Sequence, residues 1–360
     1  DGNGRDADPS DPGDCVAANE CASGSAARNS SWHGTHVAGT IAALTNNGVG
    51  VAGVNWVSPI VPVRVLGKCG GYSSDIADGI TWASGGTVSG VPANALPARV
   101  LNLSLGGYRS NATCDAVYQS AINGALSRNV VVVVAAGNSS QEAKYHTPAN
   151  CDGVITVAAT GRTGQRASYS NYDDNETGVQ VEIAAPGGSD GNGVLSTLNS
   201  GTTSPNPTGY NYVNYQGTSM ATPHVAGIVS LMLSVAPSTT PAQVLAAIQN
   251  TARAFPTGTV RDCTANLASV TTSIKYCGAG IIDADAAIAA VSSLPATSTT
   301  LASSANPSTF GQSVTFTASV TGASPTGSVA GEPFSTDSTL TSGQADRTRS
   351  CHATRSFVRR

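Results

Sequence analysis

Apolar positions along the chain recur with two different periods. At Val130-Val131-Val132-Val133-Val134 five β-branched residues follow one another without a polar break, which reads as a strand buried on both faces, as in a parallel sheet. Ile60–Leu66, Val100–Leu105, Gly153–Ala158 and Val179–Ile183 read as further strands. Between them the spacing turns helical: Ser74–Ser84, with Ile76, Ile80 and Trp82 on one face, and then Cys114–Ser127. Pro241–Thr251 and Asp283–Val291 add two C-terminal helices. Strands separated by helices of about 10–15 residues predict an α/β domain with a largely parallel sheet and crossover connections.

Three stretches carry candidate chemistry. Gly217-Thr218-Ser219-Met220-Ala221-Thr222-Pro223-His224-Val225-Ala226-Gly227 opens a long helical pattern in which Ile228, Leu231, Met232 and Val235 recur. Gly217 permits a sharp turn, Thr218 and Ser219 suit a helix start, and Pro223 suits a first helical turn. Ser219 is thereby expected at a helix N-terminus, where the dipole favours developing negative charge. An ordinary Ser cap is the plainer alternative. Ser31-Trp32-His33-Gly34-Thr35-His36-Val37-Ala38-Gly39-Thr40 places His33 at the start of another helix, with His36 and His224 expected to be packed inside theirs. Asn138 follows the valine run, at the strand end where open α/β sheets place ligands. It is either a turn residue or an amide donor to an oxyanion.

In this order and at these separations the three stretches resemble the signatures of the subtilisin-like serine proteases, most of all the secreted bacterial extracellular proteases of that family. The likeness covers roughly residues 1–292. It implies a three-layer fold, His33 as general base, Ser219 as nucleophile and Asn138 as oxyanion-hole donor. It implies that Ser104, Leu105 and Gly106 offer backbone groups to an extended polypeptide substrate, with Ala135, Ala136 and Gly137 as the opposite wall of the P1 pocket and Tyr145 and His146 narrowing its floor. A plain Gly-rich strand end is the alternative for Ser104–Gly106. It also implies an Asp in an Asp-Thr/Ser-Gly turn upstream of the His, and no such turn occurs in these 360 residues. Asp1, 32 residues before His33, lacks that context, being followed by Gly2-Asn3-Gly4. The expectation is a chain that begins downstream of the acid, whose sheet lacks the strand carrying it and shows an edge or gap beside His33. The family further implies an upstream propeptide as folding partner and a calcium site at a loop such as Leu44–Val49.

Composition narrows the setting. Hydrophobic residues are 40% and charged ones only 11%, which suits an extracellular enzyme, and a net charge of −4 gives no reason to expect nucleic acid or an anionic membrane as partner. No uninterrupted apolar run of about 18 residues suggests a transmembrane helix, and no signal peptide opens the chain. Eight cysteines, none in a Cys-x-x-Cys pair, favour disulfides and an oxidising compartment. Cys263 and Cys277 flank a polar loop and could close it. The sheet order of the resembled family would bring Cys114 to Cys151, leaving Cys21 with Cys69 as a third pair and Cys15 and Cys351 unassigned. Asp6, Asp8 and Asp11 stand in an Asp-rich opening loop whose hard oxygens suit Ca²⁺, with a solvated acidic loop as the alternative. No cofactor is expected in catalysis, and the chain is expected to act as a monomer.

After Ser293 the pattern changes. Residues 293–301 read as a Pro/Ser/Thr linker. Residues 302–331 alternate with period two and resemble the opening of a bacterial Ig-like repeat, too short for a sandwich of about 100 residues. Residues 332–360 lose the alternation and end with five Arg among the last fourteen residues, as a truncated end or a basic binding tail. The expected activity is that of a secreted serine endopeptidase. An α/β-hydrolase is disfavoured because Ser219 lies in Gly-x-Ser-x-Ala and follows its His, and a chymotrypsin-like protease because the chain alternates strand and helix. The alternative from another class is a catalytically impaired fragment or peptide-binding relic lacking the triad Asp.

Overall fold

In the computed structural model, which describes residues 5, 8–173, 181–257, 263–266, 269–271, 275–292, 298–303, 314–321 and 356–357, the valine run lies inside a four-stranded parallel sheet. Its strands are β1 (Val100–Leu103), β3 (Val131–Ala135), β5 (Ile155–Thr160) and β6 (Ile183–Pro186), side by side in that order. Register is set by Val100 opposite Val131, Val133 opposite Ile155, and Val157 opposite Ile183.

Every residue of β3 is buried, because both faces of the sheet are covered. Val132 and Val134 face a cluster with Ile76, Ile80, Tyr118 and Ile122 from α2 (Ser73–Ala83) and α3 (Ala116–Ser127). Val131 and Val133 face Val225, Val229 and Met232 of α4 (Thr218–Val235), with Val244 and Ile248 of α5 (Pro241–Asn250) and Ala287 of α6 (Ala284–Val291) behind. Each fully buried valine contributes about 1.5–3 kcal/mol relative to exposure, so the alternation of β3 ties both layers to one strand. The result is the expected three-layer α/β arrangement. At 18 residues α4 is long and apolar enough to cross a membrane by composition alone, but two-thirds of it is buried, packed against all four strands.

Three smaller ribbons accompany the sheet among the described residues: β2 (Gly107–Tyr108) with β4 (His146–Thr147), Cys263–Thr264 with Lys275–Tyr276, and β7 (Val194–Asn199) with β8 (Tyr210–Tyr215). The last lies against α1 (His33–Ala42). Disulfides join Cys21 to Cys69, Cys114 to Cys151 and Cys263 to Cys277, while Cys15 is free and Cys351 lies outside the described residues.

Three sequence expectations need correction. Ile60–Leu66 forms no strand: among the described residues no neighbour pairs with its backbone, although the Val65 side chain packs against Gly79 of α2. β-branched residues favour extended structure, but a strand needs a partner. The strand expected at Val179–Ile183 runs instead over Ile183–Pro186, with 179–180 outside the described residues. The stretch expected as a linker contains a strand, Ser298–Ser303, which pairs antiparallel with Val314–Thr321, and the latter pairs with Ser356–Phe357. The chain divides at Ser292/Ser293 into two compact units.

Candidate active site

Ser219 is the second residue of α4, and Gly217 is its N-cap without a side-chain bond of its own. The cap comes from elsewhere. Asn138, just beyond β3, accepts through Oδ1 from the Thr218 backbone N–H at 2.8 Å and from the Thr218 hydroxyl at 2.9 Å. Thr218 Oγ1 in turn accepts from the Gly137 N–H at 3.2 Å. With its oxygen so committed, the Asn138 amide nitrogen faces the other way. It and the Ser219 backbone N each lie 3.5 Å from the point that a Cβ on Gly217 would occupy. Two N–H donors therefore flank one small space beside the serine, at the positive end of an 18-residue helix.

Pro223 is the sixth residue of α4, not part of its first turn as the sequence suggested. Lacking an N–H, it leaves the Ser219 carbonyl without its helical donor. The Ser104 hydroxyl takes that place at 2.8 Å and itself accepts from the Asn102 amide at 3.0 Å. In return the Ser219 hydroxyl points to the Ser104 carbonyl at 3.4 Å.

His33 is the first residue of α1, half-buried, and burial lowers its pKa, as does neighbouring His36, while the Asp14 carboxylate works in the opposite direction. No hydrogen bond joins its imidazole to Ser219, and none joins it to a carboxylate among the described residues. Apo sites commonly make such bonds only once substrate is bound. Asp1 lies outside the described residues. His36 is fully buried, with Nε2 2.9 Å from the Val213 carbonyl and its ring stacked on Tyr215. His224 Nδ1 is 2.8 Å from the Met220 carbonyl, one turn back in its own helix. Both have the packing environment expected of them.

Ser104, Leu105 and Gly106 leave the end of β1 beside Ala135, Ala136 and Gly137 at the end of β3, since the two strands are parallel neighbours. Between them lies β4. Thr147 carbonyl would stand 3.1 Å from a Cβ on Gly106, a tight fit, while the Asn171 amide at 2.3 Å and the His146 ring at 2.9 Å leave no room for one on Gly137. His146 is buried, with Nδ1 2.9 Å from the Asn171 amide nitrogen and Nε2 3.3 Å from Ser139 Oγ. Asn171 Oδ1 accepts the Ser139 and Gln141 N–H groups, so its amide nitrogen faces the ring and Nδ1 accepts. Burial lowers the His146 pKa, consistent with a neutral ring.

Asp6 lies outside the described residues, while Asp8 and Asp11 each accept a backbone N–H from their own turns, Ser10 and Gly13, at 2.9 Å. The described residues contain no group of three or more metal-ligating side chains. Asp14 in the same loop binds Ser31, two residues before His33.

The family model for the subtilases matches residues 8–312. An extracellular protease of Xanthomonas campestris is 55% identical over 291 residues, covering 81% of this chain and 45% of that protein. An extracellular basic protease of Dichelobacter nodosus is 42% identical over 299 residues, with the same shares. The chain thus spans about half the length of these curated relatives. Among solved structures, one of the proteases from Pseudoalteromonas arctica superposes with a TM-score of 0.72 at 52% identity, covering 81% of this chain and 80% of that one. With the family model matching most of its length and a relative 55% identical over 81% of it, this chain belongs to the subtilase family of serine proteases.

Proposed function

We propose that this chain is a secreted serine endopeptidase that cleaves polypeptides through an acyl-enzyme on Ser219. An extended substrate lies along the backbone of Ser104–Gly106 as an added strand, its P1 side chain between that segment and Ala135–Gly137. Ser219 Oγ attacks the scissile carbonyl while His33 takes its proton, and His33 then hands that proton to the departing amine. Water, activated by the same imidazole, releases the acid. The oxyanion is held by the Asn138 amide and the Ser219 backbone N–H. The convergence of those two donors beside Ser219 is the observation that carries this reading. Three disulfides, together with relatives named as extracellular proteases, support an oxidising extracellular setting.

A second reading has one observation in its favour: no described carboxylate is hydrogen-bonded to His33, so the chain would be a catalytically impaired fragment or a peptide-binding relic. A fluorophosphonate probe separates the two. Rapid labelling that vanishes in Ser219→Ala, with an unchanged circular dichroism spectrum, supports the enzyme; an unlabelled parent chain supports the relic. Asn138→Leu should lower turnover by about 10²–10³-fold with little change in KM, the size of effect seen when subtilisin loses such a donor. An effect confined to KM would assign Asn138 to substrate binding instead.

A further inference from the structure

Asp14 sits outside every helix and strand, yet both of its carboxylate oxygens are spent on one residue. It accepts from the Ser31 N–H at 2.6 Å and from the Ser31 hydroxyl at 2.7 Å, short bonds of the charge-assisted kind. The Ser31 carbonyl accepts from the Tyr215 hydroxyl at 2.8 Å, and Ser31 Oγ accepts from the His33 N–H at 3.4 Å. Every polar group of Ser31 is thus held. The next residue, Trp32, adopts a left-handed conformation with φ 47° and ψ 31°. For a bulky residue that costs about 1–2 kcal/mol and persists only where its surroundings impose it. The surroundings are Ser31 on one side and, on the other, a buried indole whose N–H donates to the Gly201 carbonyl at 2.6 Å. α1 then begins at His33 with no side-chain cap of its own, so its entry angle is set by this turn.

We propose that Asp14 is a positioning residue for His33: its carboxylate clamps the Ser31–Trp32 turn that aims the imidazole, and leaves a negative charge at the start of α1. This rests on the reading of His33 as the general base. Among the described residues, the ionisable groups around His33 are Asp14 from the opening loop, His36 from its own helix and Tyr215 of β8, which stacks on His36 and is kept neutral by burial. Asp14 is the member of that set that favours the imidazolium, opposing burial and His36. The charge also complements the helix dipole.

The test compares Asp14→Asn and Asp14→Ala in the full chain, reading fluorophosphonate labelling from acid to alkaline pH with Ser219→Ala as blank. Asparagine can still bond both Ser31 groups but carries no charge, so the labelling midpoint should move to lower pH with the plateau rate kept. Alanine releases the turn, and the plateau should fall about 10- to 100-fold, as expected when a reacting group is misplaced by an ångström. A side chain that only stabilised the fold would leave the midpoint where it was. Parental midpoints and rates in both variants would overturn the proposal. NMR titration of the His33 ring, assigned with His33→Gln, gives a readout independent of turnover. If the parent is not labelled, the endopeptidase reading fails, while a lower His33 midpoint in Asp14→Asn still supports the role of the charge and an unmoved one overturns it. Should Asp14→Ala not fold, Ser31→Ala, which removes one of the two bonds to the carboxylate, takes its place, and a parental plateau rate there overturns the clamp.

Discussion

The hydrogen bonds around Ser219 show how a proline shapes the surroundings of the proposed nucleophile. Pro223 withdraws the donor that the Ser219 carbonyl would have had, and Ser104 supplies another from β1's end. Ser104→Ala should therefore cost about 1 kcal/mol in thermal or urea unfolding. Pro223→Ala restores the missing N–H, so in that background the loss on Ser104→Ala should shrink. Equal losses in both backgrounds would break the link. Ser219, His33 and Asn138 are legible as candidates in the sequence because each stands in a long, recognisable stretch. The place of Pro223 in its helix is not, because the helix start is fixed by Asn138, 80 residues away, and no local pattern carries that bond. Asp14 was missed for a similar reason: among several neighbouring acidic residues, only the fold singles out the one facing Ser31.

At the scale of elements, periodicity located the helices to within one or two residues, since their apolar faces are continuous, and it located β3 by its double burial. It failed at Ile60–Leu66 because strand character depends on a pairing partner that sequence does not display. β1 pairs with β3 alone, and its other edge carries no described strand. A different element feature bears on pH. Glu182, the residue before β6, accepts the Thr156 N–H at 2.6 Å, and burial pushes its pKa up to about 8, from an ordinary 4.5, with Asp173 adding to the rise. The folded state thus holds a proton that the unfolded chain releases near 4.5. The associated stability is present below that pH and is lost as pH rises through about 8. Glu182→Gln should flatten this decline in the thermal midpoint; a variant tracking the parent from acid to alkaline pH would show that Glu182 titrates normally.

At the scale of the whole molecule, every residue assigned a role in the proposed reaction lies in the unit ending at Ser292. Ending the chain there should leave the thermal midpoint and fluorophosphonate labelling unchanged, whereas ending it before α6 removes the buried Ala287 and should destabilise the core. A lower midpoint for the 1–292 chain would show that the later strands support the first unit. Three of the bonds that shape the site span long stretches of chain: Asn138 to Thr218 across 80 residues, Ser104 to Ser219 across 115, and Tyr215 to Ser31 across 184. Each needs two distant segments to be brought together by the sheet and its helices. Loops of that length close slowly, because chain entropy opposes them before the contacts reward them. On the proposed reading, a site completed only when these long loops close would be harmless to the chain while its own loops are still exposed. Fraying at either end of these bonds would silence it before the core opens, so chemical competence and resistance to self-digestion would arise and disappear together.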